Sequence, residues 1–248
     1  MINLQGGDTV RIRLRFEGPL SVPIAYHSTL QHTLYSLFPV EIVRAWRESH
    51  GFRPFAFSRL LGRTRVGPLH QLAFSGPIDW WISLRQMDDA RSLLARIQTE
   101  PVLVIEGQRM AIAEMEMEPR FVWTREIMGV TTLSPIVADD NVNGRIVSYA
   151  PEDPRFERHI AHNAQAKARQ FLGRSVDPLT IRPLETSRVR SWYGTTPVVG
   201  YRGRFVLQGD PDLLTLLYEV GIGRRNGLGF GYCDAFLPSA EQVTAYHA

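Results

Sequence analysis

The 248-residue chain has one cysteine, Cys233, and one lysine, Lys167. A lone thiol excludes a disulfide framework and a thiolate metal site. With a single lysine, a catalytic amine could come only from Lys167. Long apolar runs are missing as well, and none reaches the roughly 18 residues of a membrane span. Met1-Ile2-Asn3-Leu4-Gln5 lacks the basic-then-apolar order of a secretory leader. A cytoplasmic protein without a membrane partner is therefore expected. Charge is nearly balanced at +3, too little to demand a polyanionic partner. The excess lies in one residue type, because arginine supplies 27 of the 28 basic side chains. Arginine presents a planar fork to phosphate and stacks on bases, although a GC-rich genome favours the same codons. Position must decide, and Arg53, Arg59, Arg63, Arg65, Arg224 and Arg225 cluster where polar chemistry could occur.

Glycine is concentrated near the C-terminus, in Gly221-Ile222-Gly223-Arg224-Arg225-Asn226-Gly227-Leu228-Gly229-Phe230-Gly231. Such density lets backbone come close to a ligand and take positive φ, and exposed amides beside Arg224 and Arg225 suit phosphate oxygens. The same run also reads as a plain turn between a helix and a last strand. Two nucleotide motifs are excluded. A dinucleotide fingerprint needs a strand before it and a helix after it, whereas here a helix comes first. No Gly-Lys-Ser/Thr of a phosphate loop is present.

Periodicity organises the rest. Val10, Ile12, Leu14 and Phe16 alternate with Arg11, Arg13 and Arg15, the pattern of a half-buried strand over 9–16. Helical spacing predicts helices over 28–38, 40–49, 88–98, 151–172 and 210–220. Gly51 follows the second helix where a C-cap glycine is preferred. Strands are expected at 70–74, 79–84, 102–105, 111–119, 129–136, 145–149, 179–190, 198–207 and 230–236, with Asp139 to Gly144 as a turn. In Trp80-Trp81, alternation sends one ring inward and one outward. Two successive βαββαβ sets imply an α+β chain of two tandem ferredoxin-like, RRM-like units. Residues 1–125 and 126–248 are the expected domains, the second ending in the glycine loop.

This arrangement resembles the RAMP superfamily of CRISPR RNA-binding proteins and, within it, the repeat-RNA-processing endoribonucleases of the Cas-six family. Four stretches carry the resemblance: Pro23 with Leu30-Gln31-His32-Thr33-Leu34-Tyr35, then Gly51-Phe52-Arg53-Pro54-Phe55-Ala56-Phe57-Ser58, then Thr132-Leu133-Ser134-Pro135-Ile136, and finally the glycine loop. The resemblance implies metal-independent cleavage within CRISPR repeats, with no cofactor. The RNA's own 2′-hydroxyl attacks the adjacent phosphate, leaving a 2′,3′-cyclic phosphate and a 5′-hydroxyl. Repeat RNA or crRNA is the implied partner, with other effector-complex subunits as further candidates, and a monomer or homodimer as the working form. A non-catalytic crRNA-binding subunit is the alternative.

Such a reaction needs a base near the 2′-oxygen, an acid near the leaving oxygen and a donor facing the non-bridging oxygens. Leu30, Leu34 and Leu37 cover about 60° of one helix face. Ser28, His32 and Tyr35 fall nearly opposite, as a solvated face or as a cleft wall. By resemblance, Tyr35 matches a tyrosine of the family's active site and Arg53 a basic position that stabilises charge at the phosphate. The family's usual histidine lies three or four residues before the glycine of Gly51-Phe52, where this chain has Glu48 and Arg47. His50 is the nearest substitute, His32 the second candidate and His27 the third. The candidate catalytic set is thus His50, Tyr35, His32 and Arg53. By resemblance the loop residues Gly221, Gly223, Arg224, Arg225, Asn226, Gly227, Gly229 and Gly231 hold RNA. His70, His159, His162 and His247 have no supporting motif, and no metal site is expected.

Overall fold

The computed structural model describes residues 10–49, 51–118 and 121–244. Two compact units emerge. The first comprises Met1–Arg120 together with Ser191–Pro197 and Gly227–Gly229, and the second comprises Phe121–Arg190, Val198–Asn226 and Phe230–Ala248.

In unit 1 the elements run β1 (Val10–Glu17), β2 (Leu20–Pro23), α1 (His27–Ser36), α2 (Val40–Glu48), β3 (Phe55–Phe57), β4 (Leu61–Gly67), β5 (Gln71–Leu84), α3 (Met87–Thr99), β6 (Val102–Ile105) and β7 (Gln108–Met117). Strand β1 lies between β5 and β7, and β3 and β4 pair with the other side of β5. This β7–β1–β5–β3/β4 order is ferredoxin-like. Alternation in β1 buries Val10, Ile12, Leu14 and Phe16 and turns the arginines to the opposite face. There, cross-strand carboxylates meet them: Arg11 with Glu118, Arg13 with Glu116 and Arg15 with Asp79. Trp80 is fully buried and donates to the Ser58 carbonyl (3.2 Å). Trp81 points the other way, with the Arg11 guanidinium 5.6 Å from its ring centroid.

Two expectations need adjustment. The strands predicted at 70–74 and 79–84 are one 14-residue strand, carried through Gly76-Pro77 because the ladder with Glu17 continues there. Strand β4 was not expected: both of its faces are solvent-exposed, so it lacks the apolar alternation that marks a strand.

Unit 2 contains β8 (Ile127–Thr132), β9 (Asp139–Val142), β10 (Arg145–Ser148), α4 (Pro154–Phe171), β11 (Thr180–Tyr193), β12 (Thr196–Gln208), α5 (Pro211–Val220), β13 (Cys233–Phe236) and α6 (Ala240–Thr244). Its sheet order, β11–β12–β8–β13, repeats the ferredoxin-like pattern. Both long helices start on sequence-legible signals. Asp153 and Asp210 cap them by accepting from Arg155 N and from Asp212 N and Leu213 N, with proline in the first turn, where its missing N–H costs nothing. Phe156, Ile160, Ala164, Phe205, Leu213 and Leu217 form the core under the sheet. Strand β8 stops at Thr132 rather than 136, and the expected turn at 139–144 is a two-stranded hairpin.

Candidate active site

Helix α1 buries Leu30 and Leu34 and leaves His32 exposed and Tyr35 half-buried. The Tyr35 ring sits against Trp46 and Phe55, with centroids 6.0 and 6.1 Å away. The Arg47 guanidinium lies 5.2 Å from the same ring. Arg53 donates to the Ser49 carbonyl and hydroxyl, both at 2.9 Å, and its charge acts on Tyr35. Burial raises the Tyr35 pKa, against the opposing pull of Arg53 and Arg47. Among the described residues, neither guanidinium has a carboxylate partner. Helix α2 ends at Glu48 with Ser49 extended, and Gly51 follows at φ 113°. His50 lies outside the described residues.

A residue not singled out from the sequence ties this site together. Gln31, one helical turn before Tyr35, is 8% exposed. Its amide nitrogen reaches the Gly227 carbonyl (2.6 Å) and the Tyr35 hydroxyl (3.4 Å), and its oxygen accepts from the Tyr193 hydroxyl (2.5 Å). The i,i+4 spacing of Gln31 and Tyr35 could have flagged the first contact. Tyr193 carried no signal, because it lies at the end of β11, 162 residues along the chain.

His27 opens α1 but faces inward, 1% exposed and stacked on Tyr26 at 5.6 Å. Burial, aided by the charge of Arg59, pulls its pKa down to about 3 against a hydrogen bond to the Leu228 backbone. It is a neutral packing residue, poorly suited to act as a base on a ligand.

The glycine loop approaches protein, not open space. Gly231 has φ 72°, and a Cβ there would stand 1.9 Å from the Ile222 carbonyl oxygen; a Cβ on Gly227 would stand 2.8 Å from Arg53 Cγ. Over 221–226 the loop wraps around Lys167, whose ammonium donates to Gly221 O (2.7 Å), Gly223 O (2.9 Å) and Asn226 Oδ1 (2.6 Å). Burial lowers the Lys167 pKa to about 7. The only lysine is thus a fully buried structural cation. The Asn226 amide donates to Ile222 O and Phe230 O. Arg224 donates to the Asp139 carbonyl (2.5 Å), and Arg225 binds the Asp139 carboxylate through Nε (2.8 Å) and Nη2 (2.7 Å).

Among the described residues, the remaining histidines do not form a metal-binding group. His70 ends a 3-10 turn. His159 stacks on Tyr149 at 4.7 Å with Asp140 4.0 Å away. His247 lies outside the described residues. Among the described residues no three His, Cys, Asp or Glu side chains converge as a metal-binding group, and no helix is long and apolar enough to cross a membrane.

The two ferredoxin-like units, with a glycine-rich segment between α5 and β13 of the second, are the frame in which the comparisons with known proteins stand. The family model described as CRISPR associated protein Cas6, C-terminal, matches residues 116–235. Over these residues the chain is similar to the C-terminal part of Cas6 proteins. A Cas6-related protein from Pyrococcus furiosus is similar over 95% of this chain and 100% of its own, at 18% identity and TM-score 0.81. A RAMP protein described as binding different RNA substrates is similar over 92% of this chain and 100% of its own, at 22% identity and TM-score 0.77. A Cas6 in a product complex shares 15% identity at TM-score 0.71, over 92% of this chain and 100% of its own. At these identities the likeness speaks to the fold. The sequence has no significant match among curated proteins.

Proposed function

We propose that this chain cleaves CRISPR precursor RNA within its repeats, without a metal, through attack of the RNA 2′-hydroxyl. The products are a 2′,3′-cyclic phosphate and a 5′-hydroxyl. The observation that carries this reading is the grouping of Tyr35, Arg53 and Arg47, in which two cations without carboxylate partners among the described residues flank a half-buried phenol. Such cations stabilise charge building on non-bridging oxygens. Arg53 stays charged throughout, so it serves as stabiliser and not as acid. The Tyr35 hydroxyl is the proton or hydrogen-bond donor, and His50 is the base, with His32 as its substitute. The glycine loop holds the RNA, and retention on the product as an effector-complex subunit in the cytoplasm follows from the same reading.

The test is incubation with repeat RNA in excess EDTA. Discrete cuts ending in cyclic phosphate are expected, and uncut but bound RNA would sink the assignment. His50→Ala should lower the cleavage rate by about 100-fold or more, the scale of lost acid–base catalysis, with affinity retained. A wild-type rate in that variant moves the base to His32. One observation favours a second reading, a non-catalytic crRNA-binding subunit: at a position where the family's histidine is expected, Arg47 lies against Tyr35.

A further inference from the structure

On the face of β1 opposite its apolar side chains, Arg11, Arg13 and Arg15 are met by acidic neighbours. Further along β5 the pattern changes. Residues 71–75 of β5 have β2 on one side and β4 on the other, and Arg63 and Arg65 stand opposite Ser75 and Ala73, with Ser21 paired to Ala73 across the strand. These positions share one face and enclose a trough of about 440 Å³. Its floor is small, Ala73 and Ser75, and Arg63 and Arg65 form one wall. No acidic side chain lines it. Both arginines are exposed, and among the described residues neither has an ion-pair partner. Gln108 holds the far side by clamping the Ser21 backbone at both its N–H and its carbonyl.

We infer that this trough is a contact site for the sugar–phosphate backbone of a single-stranded nucleic acid, separate from the Tyr35 site. Side chains two apart on a strand are about 6.6 Å apart, a step that successive phosphates of an extended single strand match. Each arginine then takes one phosphate through its fork. Phe74 is turned to the core, 2% exposed, so the floor offers no ring for base stacking and the contact is independent of sequence. The inference rests on the RNA reading above, and it adds a place where strand outside the cleavage point is held.

The test uses a short oligouridylate, which carries no repeat, titrated over a salt series. Arg63→Gln/Arg65→Gln should lower the slope of log affinity against log salt by about 1.4, at about 0.7 per phosphate on a single strand. Affinity should fall on the order of 10-fold. Arg91→Gln/Arg109→Gln removes the same charge from arginines paired with Asp88 and Glu100 and should leave the slope unchanged. Equal losses in both variants would assign the effect to net charge and overturn the site. An unchanged slope with new self-association would assign the arginines to protection of the β4 edge. Displacement of the RNA by polyglutamate in wild type but not in the Arg63/Arg65 variant would make the trough an acidic-peptide site. Repeat cleavage at saturating RNA should survive Arg63→Gln/Arg65→Gln, so a chain that never cleaves fails the first reading without touching this one.

Discussion

The two parts of the glycine loop are held by opposite means. Residues 221–226 are fixed by charge: the buried Lys167 ammonium meets three oxygens, and Asp139 takes both Arg224 and Arg225. Residues 227–229 are fixed by neutral groups, the Gln31 amide on Gly227 and the uncharged His27 on Leu228. The first part looks most like a phosphate cradle in the sequence, yet most of its donors already bind protein. The second has no charged side chain of its own, and it is bonded to Gln31, the residue that touches Tyr35. Donor capacity for a ligand is therefore found by asking which cations lack a protein partner, not by counting cations near glycines.

Removing the charged anchor should have the largest effect. In Lys167→Met, the Gly221 and Gly223 carbonyls and the Asn226 side chain lose a buried donor. Breaking a buried charged network on one side costs about 3–5 kcal/mol, and at about 2–4 °C per kcal/mol the thermal midpoint should drop by on the order of 10 °C. A midpoint within a degree or two of wild type would show that the loop does not depend on this cation.

The neutral anchor makes a pH-dependent prediction. His27 has a folded pKa near 3, while an unfolded histidine titrates near 6.5. Between these values the unfolded chain binds the extra proton, so stability falls as pH drops from about 6.5 towards 3 and is fully present above 6.5. From pH 7 to pH 4 this loss is about 3 kcal/mol at 1.36 kcal/mol per pKa unit. His27→Gln keeps a donor for Leu228 but cannot titrate, so denaturant melts at pH 7 and pH 4 should differ less than in wild type. Equal acid losses in both proteins would place the sensitivity elsewhere.

The same contrast explains what the sequence made legible. Helices and sheet order came from periodicity, because Leu30, Leu34, Leu213 and Leu217 each face one core and local spacing encodes that. Strand β4 did not, since Arg63, Thr64, Arg65 and Val66 bury neither face. In the candidate site Tyr35 and Arg53 were readable by resemblance, and Gln31 was within reach at i,i+4. The Tyr193 contact closes over 162 residues and depends on where β11 ends. Asp139 was read as part of a turn, so nothing announced that one buried carboxylate would take both loop arginines.

Arg224 and Arg225 give the smallest and sharpest prediction. Two free arginines on phosphate would contribute about 1.4 to the salt slope, at about 0.7 each. Asp139 does not hold them equally. Arg225 is bound through two nitrogens and its side chain is 22% exposed, whereas Arg224 is 46% exposed and bonds mainly to a backbone carbonyl. Arg224 therefore has the larger outward-facing edge, with donors left for a ligand. In repeat-RNA titrations Arg224→Ala should lower the slope by about 0.7, and Arg225→Ala should change it little while lowering thermal stability, because the buried Asp139 carboxylate loses its two-nitrogen partner. The double variant should then resemble Arg224→Ala in slope and Arg225→Ala in stability. A slope that falls equally in each single variant would mean that Asp139 releases Arg225 when RNA binds, and an unchanged slope in the double variant would remove both side chains from the RNA contact.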